Sequence, residues 1–133
     1  MKKSILLSVV VLFAITFTKA QTAYQFAGMD CNNIPVDLFA DLNAGKAVIL
    51  EFYMPNCGSC PPPAQKIQAM GNKINQTYSG MVKGYAFPYQ NSTTCTYPSS
   101  WVNSNNLSSF STPMDSGAYQ LAYYGGFRMP TLV

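Results

Sequence analysis

The sequence has 133 residues, enough for one domain with a core of its own, and only 10% of them are charged. It contains no histidine, which excludes Cys–His and Ser–His catalysis and histidine ligation of a metal within this chain. The formal charge of +3 belongs to the first twenty residues, where Lys2, Lys3 and Lys19 lie; the remainder carries five basic and five acidic side chains, and such a neutral domain is not built for nucleic acid.

Lys2 and Lys3, an apolar run over residues 5–17 and the small residues Thr18 and Ala20 together read as a secretory signal peptide, residues 1–20, cleaved after Ala20. The run has thirteen residues, short of the ~20 that span a bilayer. No membrane attachment is expected beyond the signal, an uncleaved anchor being the alternative. Residues 21–133 form the exported domain, and four cysteines in an exported chain suit an oxidising compartment, periplasmic or extracellular.

Along that domain, Tyr24 and Phe26 alternate with polar or small residues as in a short strand, and Asn32, Asn33 and Pro35 make a turn. Asp37 caps a short helix through Leu42, which Gly45 ends. Residues 47–53, AVILEFY, form the continuous apolar run of a strand covered on both faces. After Cys57-Gly58-Ser59-Cys60, the residues Ala64, Ile67, Met70, Ile74 and Tyr78 recur at helical spacing, and Ser79-Gly80 stop the helix. Residues 81–87 are a second strand, which makes a βαβ unit. Residues 88–106 are polar and read as a long loop with one helical turn at 99–102. Asp115 caps a helix through Tyr124, Gly125-Gly126 end it, and residues 129–133 begin another strand. The chain stops on an apolar residue inside that strand, so at least one more strand and a covering helix are expected beyond Val133.

The spacing of Cys57 and Cys60 at a helix start lets them close a disulfide with little backbone movement. Free amides and positive potential at a helix N-terminus favour a thiolate, the nucleophile of disulfide exchange. Cys57 is then the attacking sulfur and Cys60, one turn in, the resolving one. The same motif also fits a permanent structural disulfide or half of a zinc site. Four-thiolate zinc sites use two close pairs, whereas Cys31 and Cys95 are isolated, and covalent haem attachment needs a histidine where Pro61 stands. No metal and no cofactor beyond the redox-active disulfide is expected. Four cysteines allow three pairings; the set 57–60 with 31–95 is favoured, and two free thiols at Cys31 and Cys95 are the rival. A 31–95 link would stabilise by roughly 2–4 kcal/mol. Tyr89, Tyr97 and Trp101 either shape a substrate or partner surface or cover a sheet edge, and the second reading is favoured.

Two stretches resemble the thioredoxin superfamily. Residues 47–74, AVILEFYMPNCGSCPPPAQKIQAMGNKI, look like its strand, active-site turn and first long helix. Residues 124–133, YGGFRMPTLV, look like its second signature, a cis-proline loop entering a strand. The asparagine turn and the GKAVIL lead-in are most similar to exported thioredoxin-like proteins of the periplasmic reductase type. The resemblance implies an α/β thioredoxin-like fold, a central mixed sheet flanked by helices, which the pattern at Val133 leads one to expect truncated at the C-terminus. It implies that Pro130 is cis and packs against the disulfide, and that the Met129 backbone, followed by Thr131, pairs with an extended substrate segment. Gly58 and Ser59 between the sulfurs complete the expected substrate contacts. Glu51 stands at the position of the family's buried acid, where desolvation raises its proton affinity and lets it take the proton of Cys60. Asn56 replaces the tryptophan usual before the first cysteine, and Pro61, Pro62 and Pro63 put the helix start, and hence the activation of Cys57, in question.

The function expected is thiol–disulfide exchange with exported proteins. The partners are protein thiols or disulfides and an electron donor or acceptor protein, with no nucleic acid. The alternative is a thioredoxin-like binding module of a longer exported protein, with Cys57–Cys60 as a permanent staple.

Overall fold

A computed structural model describes residues 22–91 and 93–133, so the signal-peptide expectation on residues 1–20 lies outside the described residues. The elements in chain order are β1 (Ala27–Met29), β2 (Pro35–Asp37), α1 (Leu38–Asn43), β3 (Ala47–Tyr53), α2 (Pro61–Thr77), β4 (Val82–Pro88), α3 (Thr96–Ser104), β5 (Ser111–Pro113), α4 (Ala118–Tyr123) and β6 (Thr131–Leu132). A small antiparallel hairpin, β1–β2, stands apart from a four-stranded sheet ordered β5-β4-β3-β6. In that sheet β3, β4 and β5 are parallel and β6 runs antiparallel to β3. Among the described residues, no helix is long and apolar enough to cross a membrane.

Strand β3 is apolar except for Glu51, and over residues 50–53 both of its faces are covered. Leu50 and Phe52 enter one core with Phe26, Tyr85 and Phe87. Tyr53 enters the other, with Cys57, Cys60, Ala64, Ala86 and Trp101. The two-residue period of a strand therefore puts Glu51 on the same side as Tyr53, the side that carries the cysteines.

Helix α1 forms where Asp37 supplies its cap, accepting from the Ala40 amide at 2.8 Å, and the chain leaves it through Gly45 at φ 78°. Asp41 fastens this helix to the sheet. It accepts from Lys46 Nζ at 2.8 Å, Lys83 Nζ at 3.0 Å and Tyr85 OH at 2.7 Å. Burial alone would raise its pKa, but these donors outweigh it and hold the carboxyl below its ordinary value.

Five sequence expectations change. The hairpin begins at Ala27 and not at Tyr24. The stretch read as a loop with one helical turn at 99–102 contains a nine-residue helix, α3, which includes that turn and extends it on both sides, and whose Pro98, Trp101 and Val102 are buried; packing of those side chains overrides the weak helical preference of its Ser, Thr and Asn neighbours. Three residues of β5 extend the sheet beside β4. The cap of α4 comes from Asn91, whose Oδ1 accepts from the Ala118 amide at 3.0 Å, and not from Asp115. Finally, α2 turns a different face inward: Ala64 and Gly71 are buried while Met70, Ile74 and Tyr78 are exposed. The reason is Phe110, whose ring lies between Gly71 of α2 and Gly84 of β4 so closely that a Cβ on either glycine would overlap it. Gln65, Gln68 and Asn72 add hydrogen bonds from α2 to Asn105, Asn106 and Ser109 at 3.1, 2.7 and 2.9 Å.

Candidate active site

Beyond Tyr53 the chain turns through Pro55 and Asn56, the latter at φ 57°, a left-handed conformation that asparagine tolerates better than most residues. The Cys60 amide donates to the Cys57 carbonyl at 3.1 Å and closes the next turn. Cys60 is the N-cap of α2, and Pro61, Pro62 and Pro63 take its first three positions. Those are positions whose N–H has no partner within the helix and whose φ suits proline, so the prolines fit without breaking it. This corrects the expected geometry: Cys60 lies at the helix boundary and not one turn in, and Cys57 precedes the helix. It also removes most of the expected amide activation, because three of the four free N–H groups at this helix end are proline nitrogens. The polar neighbour left to Cys57 Sγ is the Ser59 hydroxyl, at 3.4 Å.

Cys57 and Cys60 are joined as a disulfide, with their Cα atoms 5.4 Å apart. Their exposure differs in the way that matters chemically: Cys57 is 8% exposed and Cys60 not at all. Gly58 and Ser59 between them are open to solvent. Beside Cys57 lies an open groove of about 420 Å³ lined by Asn56, Cys57, Gly58, Pro61, Trp101 and Asn105, with no charged side chain in its wall. Trp101 reaches it from α3 and stacks on Tyr53, ring centroids 3.8 Å apart and planes within 7°.

The Met129–Pro130 bond is cis. Met129 packs against the cluster that contains both cysteines, as well as against the opposite core. Thr131 pairs with Phe52 of β3 and donates from its hydroxyl to the Arg128 carbonyl at 2.6 Å. Cys57, Cys60 and Trp101 thus belong to one buried cluster against which Met129 packs, and Pro130, half-buried, follows Met129 in the chain.

Glu51 lies on the face of β3 that it shares with Tyr53, 4% exposed, between Ala86 of β4 and Leu132 of β6 in register. Its Oε1 has no hydrogen-bond partner. Desolvation pushes its pKa up to about 7, so near neutral pH the carboxyl can both take and give a proton. Burial also pushes the Tyr53 hydroxyl well above the usual range, with Tyr97 and Glu51 adding to the effect.

Cys31 and Cys95 form a second disulfide across 64 residues. It joins the hairpin turn to the N-cap of α3, and the Cys31 amide donates to the Pro113 carbonyl at 2.9 Å. The sequence reading left Tyr53 and Asn105 out of the site and favoured Trp101 as cover for a sheet edge over a surface role; Trp101 in fact stacks on Tyr53 and walls the groove. The hint available in the sequence was the Tyr97–Trp101 spacing of four, one helical turn, next to a cysteine.

No protein-family model and no curated protein matches the sequence. Solved structures do match in shape. A secreted Mycobacterium tuberculosis disulfide oxidoreductase homologous to E. coli DsbE aligns with a TM-score of 0.58 at 21% identity, over 82% of this chain and 74% of that one. A thiol:disulfide interchange protein from Bacteroides sp. aligns with a TM-score of 0.63 at 14% identity, over 87% and 73%. The thioredoxin domain of a Bacteroides vulgatus thiol-disulfide oxidoreductase aligns with a TM-score of 0.59 at 15% identity, over 89% and 81%. At these identities the likeness is one of fold: the chain has the thioredoxin-like α/β fold, a mixed sheet flanked by helices.

Proposed function

We propose that this thioredoxin-fold chain is a thiol–disulfide oxidoreductase acting on exported proteins through Cys57 and Cys60. The observation that carries the reading is the unequal burial of the two sulfurs: Cys57 keeps a small exposure and lines an open groove, whereas Cys60 is fully enclosed. An incoming disulfide can reach Cys57 alone. The Cys57 thiolate attacks it, forms a mixed disulfide and expels one substrate thiolate. Cys60 gives its proton to Glu51 and attacks the Cys57 sulfur; the Cys57–Cys60 bond re-forms and the second substrate thiol leaves. Two electrons pass to the substrate, and a donor protein must then restore the dithiol.

The Met129 backbone, Thr131, Gly58 and Ser59 hold the extended substrate segment, with Pro130 shaping the loop that presents it. The solved neighbours support the chemistry, since those named above are disulfide oxidoreductases or interchange proteins and one is secreted. Together with the signal peptide read from residues 1–20, they support a periplasmic or extracellular site of action. The proline-filled helix start favours the reductase direction: with few amides to stabilise the Cys57 thiolate, the disulfide form is favoured and the dithiol is the better electron donor.

Insulin reduction driven by dithiothreitol tests the proposal. The wild-type protein accelerates it and Cys57→Ser does not; equal rates for the two would remove the reading. A measured potential below about −300 mV would instead mark the pair as a permanent staple.

A further inference from the structure

The groove beside the disulfide is built by two segments, and neither carries a charged side chain. Residues 52–65 hold the cysteine turn and the start of α2, and residues 84–114 run from within β4 through α3 and β5. The loop before Met129 adds one charge, Arg128, which is exposed and is not part of the groove wall. Cys57 is itself in that wall, so a chain whose disulfide reaches its sulfur must lie in the groove.

The α3 side of the groove is Trp101 and Asn105, one helical turn apart. Trp101 has one ring face on Tyr53 and is 9% exposed, so it offers a small, fixed apolar surface. Asn105 is held at three points. Its backbone amide and its Nδ2 both donate to the Trp101 carbonyl, at 3.2 and 2.8 Å, and its own carbonyl accepts from Gln65 Nε2 at 3.1 Å. A carbonyl only accepts, so the side-chain atom bonded to it is the NH2 group. That leaves Oδ1 as an acceptor that no donor among the described residues reaches.

We infer that Trp101 and Asn105 are the specificity-determining residues of the site, and that they select an uncharged, extended substrate segment which lays an apolar side chain next to its cysteine against Trp101 and donates a backbone N–H to Asn105 Oδ1. The inference rests on the oxidoreductase reading and names the substrate class for it. A charged side chain entering the groove loses water and finds no counter-charge in the wall, whereas an apolar one gains by leaving water. An indole can hold a cation over its face, but Tyr53 already occupies one face of this one. An extended chain presents N–H groups along its edge, and a fixed acceptor beside the disulfide takes one of them, at a position that proline cannot fill. Asn105 is tied to α3 and to Gln65 of α2, so the acceptor is in place before the substrate arrives.

The test uses the purified protein in its dithiol form at pH 7. Its substrates are pairs of identical end-blocked peptides joined by one disulfide, with tyrosine, leucine, lysine or glutamate on either side of the cysteine. Each rate of peptide thiol release is divided by the rate with bis(2-hydroxyethyl) disulfide, which is neutral and too small to fill the groove. Tyrosine and leucine peptides are expected to react about tenfold faster than lysine and glutamate peptides. Methylating the backbone nitrogens of the tyrosine peptide one at a time is expected to slow it about fivefold at one position, and Asn105→Ala is expected to react equally slowly with both forms. The wild-type scan alone decides should that variant not fold by near-ultraviolet circular dichroism. Trp101 is read directly, because it is the only tryptophan of the chain. In Cys60→Ser, the Cys57 thiolate bonds to one peptide sulfur and releases the other as thiolate, which traps the mixed disulfide. The tyrosine peptide trapped there is expected to shift the Trp101 emission to the blue, and trapped 2-hydroxyethanethiol is not.

Equal rates for the four peptides, or a lysine peptide that reacts fastest, overturn the selection against charge. An emission unchanged by the trapped peptide overturns the Trp101 contact. A scan with no sensitive nitrogen, or a methylation loss that survives Asn105→Ala, overturns the Asn105 contact. Should neither the peptides nor bis(2-hydroxyethyl) disulfide be reduced at all, it is the oxidoreductase reading that fails.

Discussion

The Ser59 hydroxyl lies 3.4 Å from the sulfur of Cys57, the one polar side-chain contact of that sulfur among the described residues. In the dithiol form this hydroxyl is placed to donate to a Cys57 thiolate, the role that backbone amides fill where a helix start is free of proline. Ser59→Ala is therefore expected to raise the Cys57 thiol pKa and to slow reaction with a thiol reagent at pH 7 about fivefold, the equivalent of roughly 1 kcal/mol. Ultraviolet absorbance of the thiolate against pH, in wild type and variant, checks this. Coincident curves would show that the serine contributes nothing.

The three prolines make the opposite case. Pro61→Ala and Pro62→Ala each restore an amide at the start of α2, and each is expected to raise the reduction potential by roughly 10–20 mV, the scale of one helix-end charge interaction. Equilibration with a glutathione redox buffer measures it. The same changes loosen the unfolded chain and cost about 0.4–1 kcal/mol of stability. A fall in potential would refute the argument that the missing amides hold the thiolate back.

Glu51 makes stability depend on pH in a direction opposite to that of an ordinary salt-bridged acid. Its carboxyl binds its proton more tightly in the folded protein, at about 7, than the unfolded value of 4.5. Below the lower value both states are protonated and nothing is lost. As pH rises from there through 7 the unfolded state ionises first, so stability falls, by about 3 kcal/mol in all. Glu51→Gln removes that slope. It is expected to match wild type near pH 4 in urea unfolding and to exceed it by about 3 kcal/mol at pH 8. Parallel curves at the two pH values would contradict a buried, unpaired carboxyl.

The Cys31–Cys95 bond anchors the helix that brings Trp101 to the groove. Replacing both cysteines by serine is expected to lower stability by about 2–4 kcal/mol in urea unfolding. It is also expected to raise KM for a protein substrate more than it lowers kcat, because α3 loses its tether while Cys57, Cys60 and Glu51 stay in place. Both must be replaced together, since a single free thiol could exchange with Cys57. An unchanged KM would separate α3 from substrate binding.

The parts of the fold that were legible in the sequence are those whose signal is local. The apolar run of β3 coincides with the strand at both ends, and the Asp37 cap and the helix after the cysteine pair follow from residue types within a few positions. The parts that were not legible depend on distant partners. Helix α3 is written in Ser, Thr and Asn and forms because Trp101 lands on Tyr53 and Cys95 meets Cys31. The inward face of α2 follows an aromatic ring far along the chain and not the spacing of its own apolar residues. In the candidate site, the cysteine pair stands out by its spacing and Glu51 by the family resemblance, whereas the groove wall comes from a segment of which only one helical turn was legible.

That ring, Phe110, has a reach beyond its own pocket. Clasped between Gly71 and Gly84, it acts as a shim that sets how far α2 stands off the sheet. Since Cys60 caps α2 and the sheet carries Glu51, the gap between that sulfur and that carboxyl is gauged from the middle of the helix, about three turns from the cap. A methyl at either glycine would tilt the whole rod about that point, so these three positions can change only in concert.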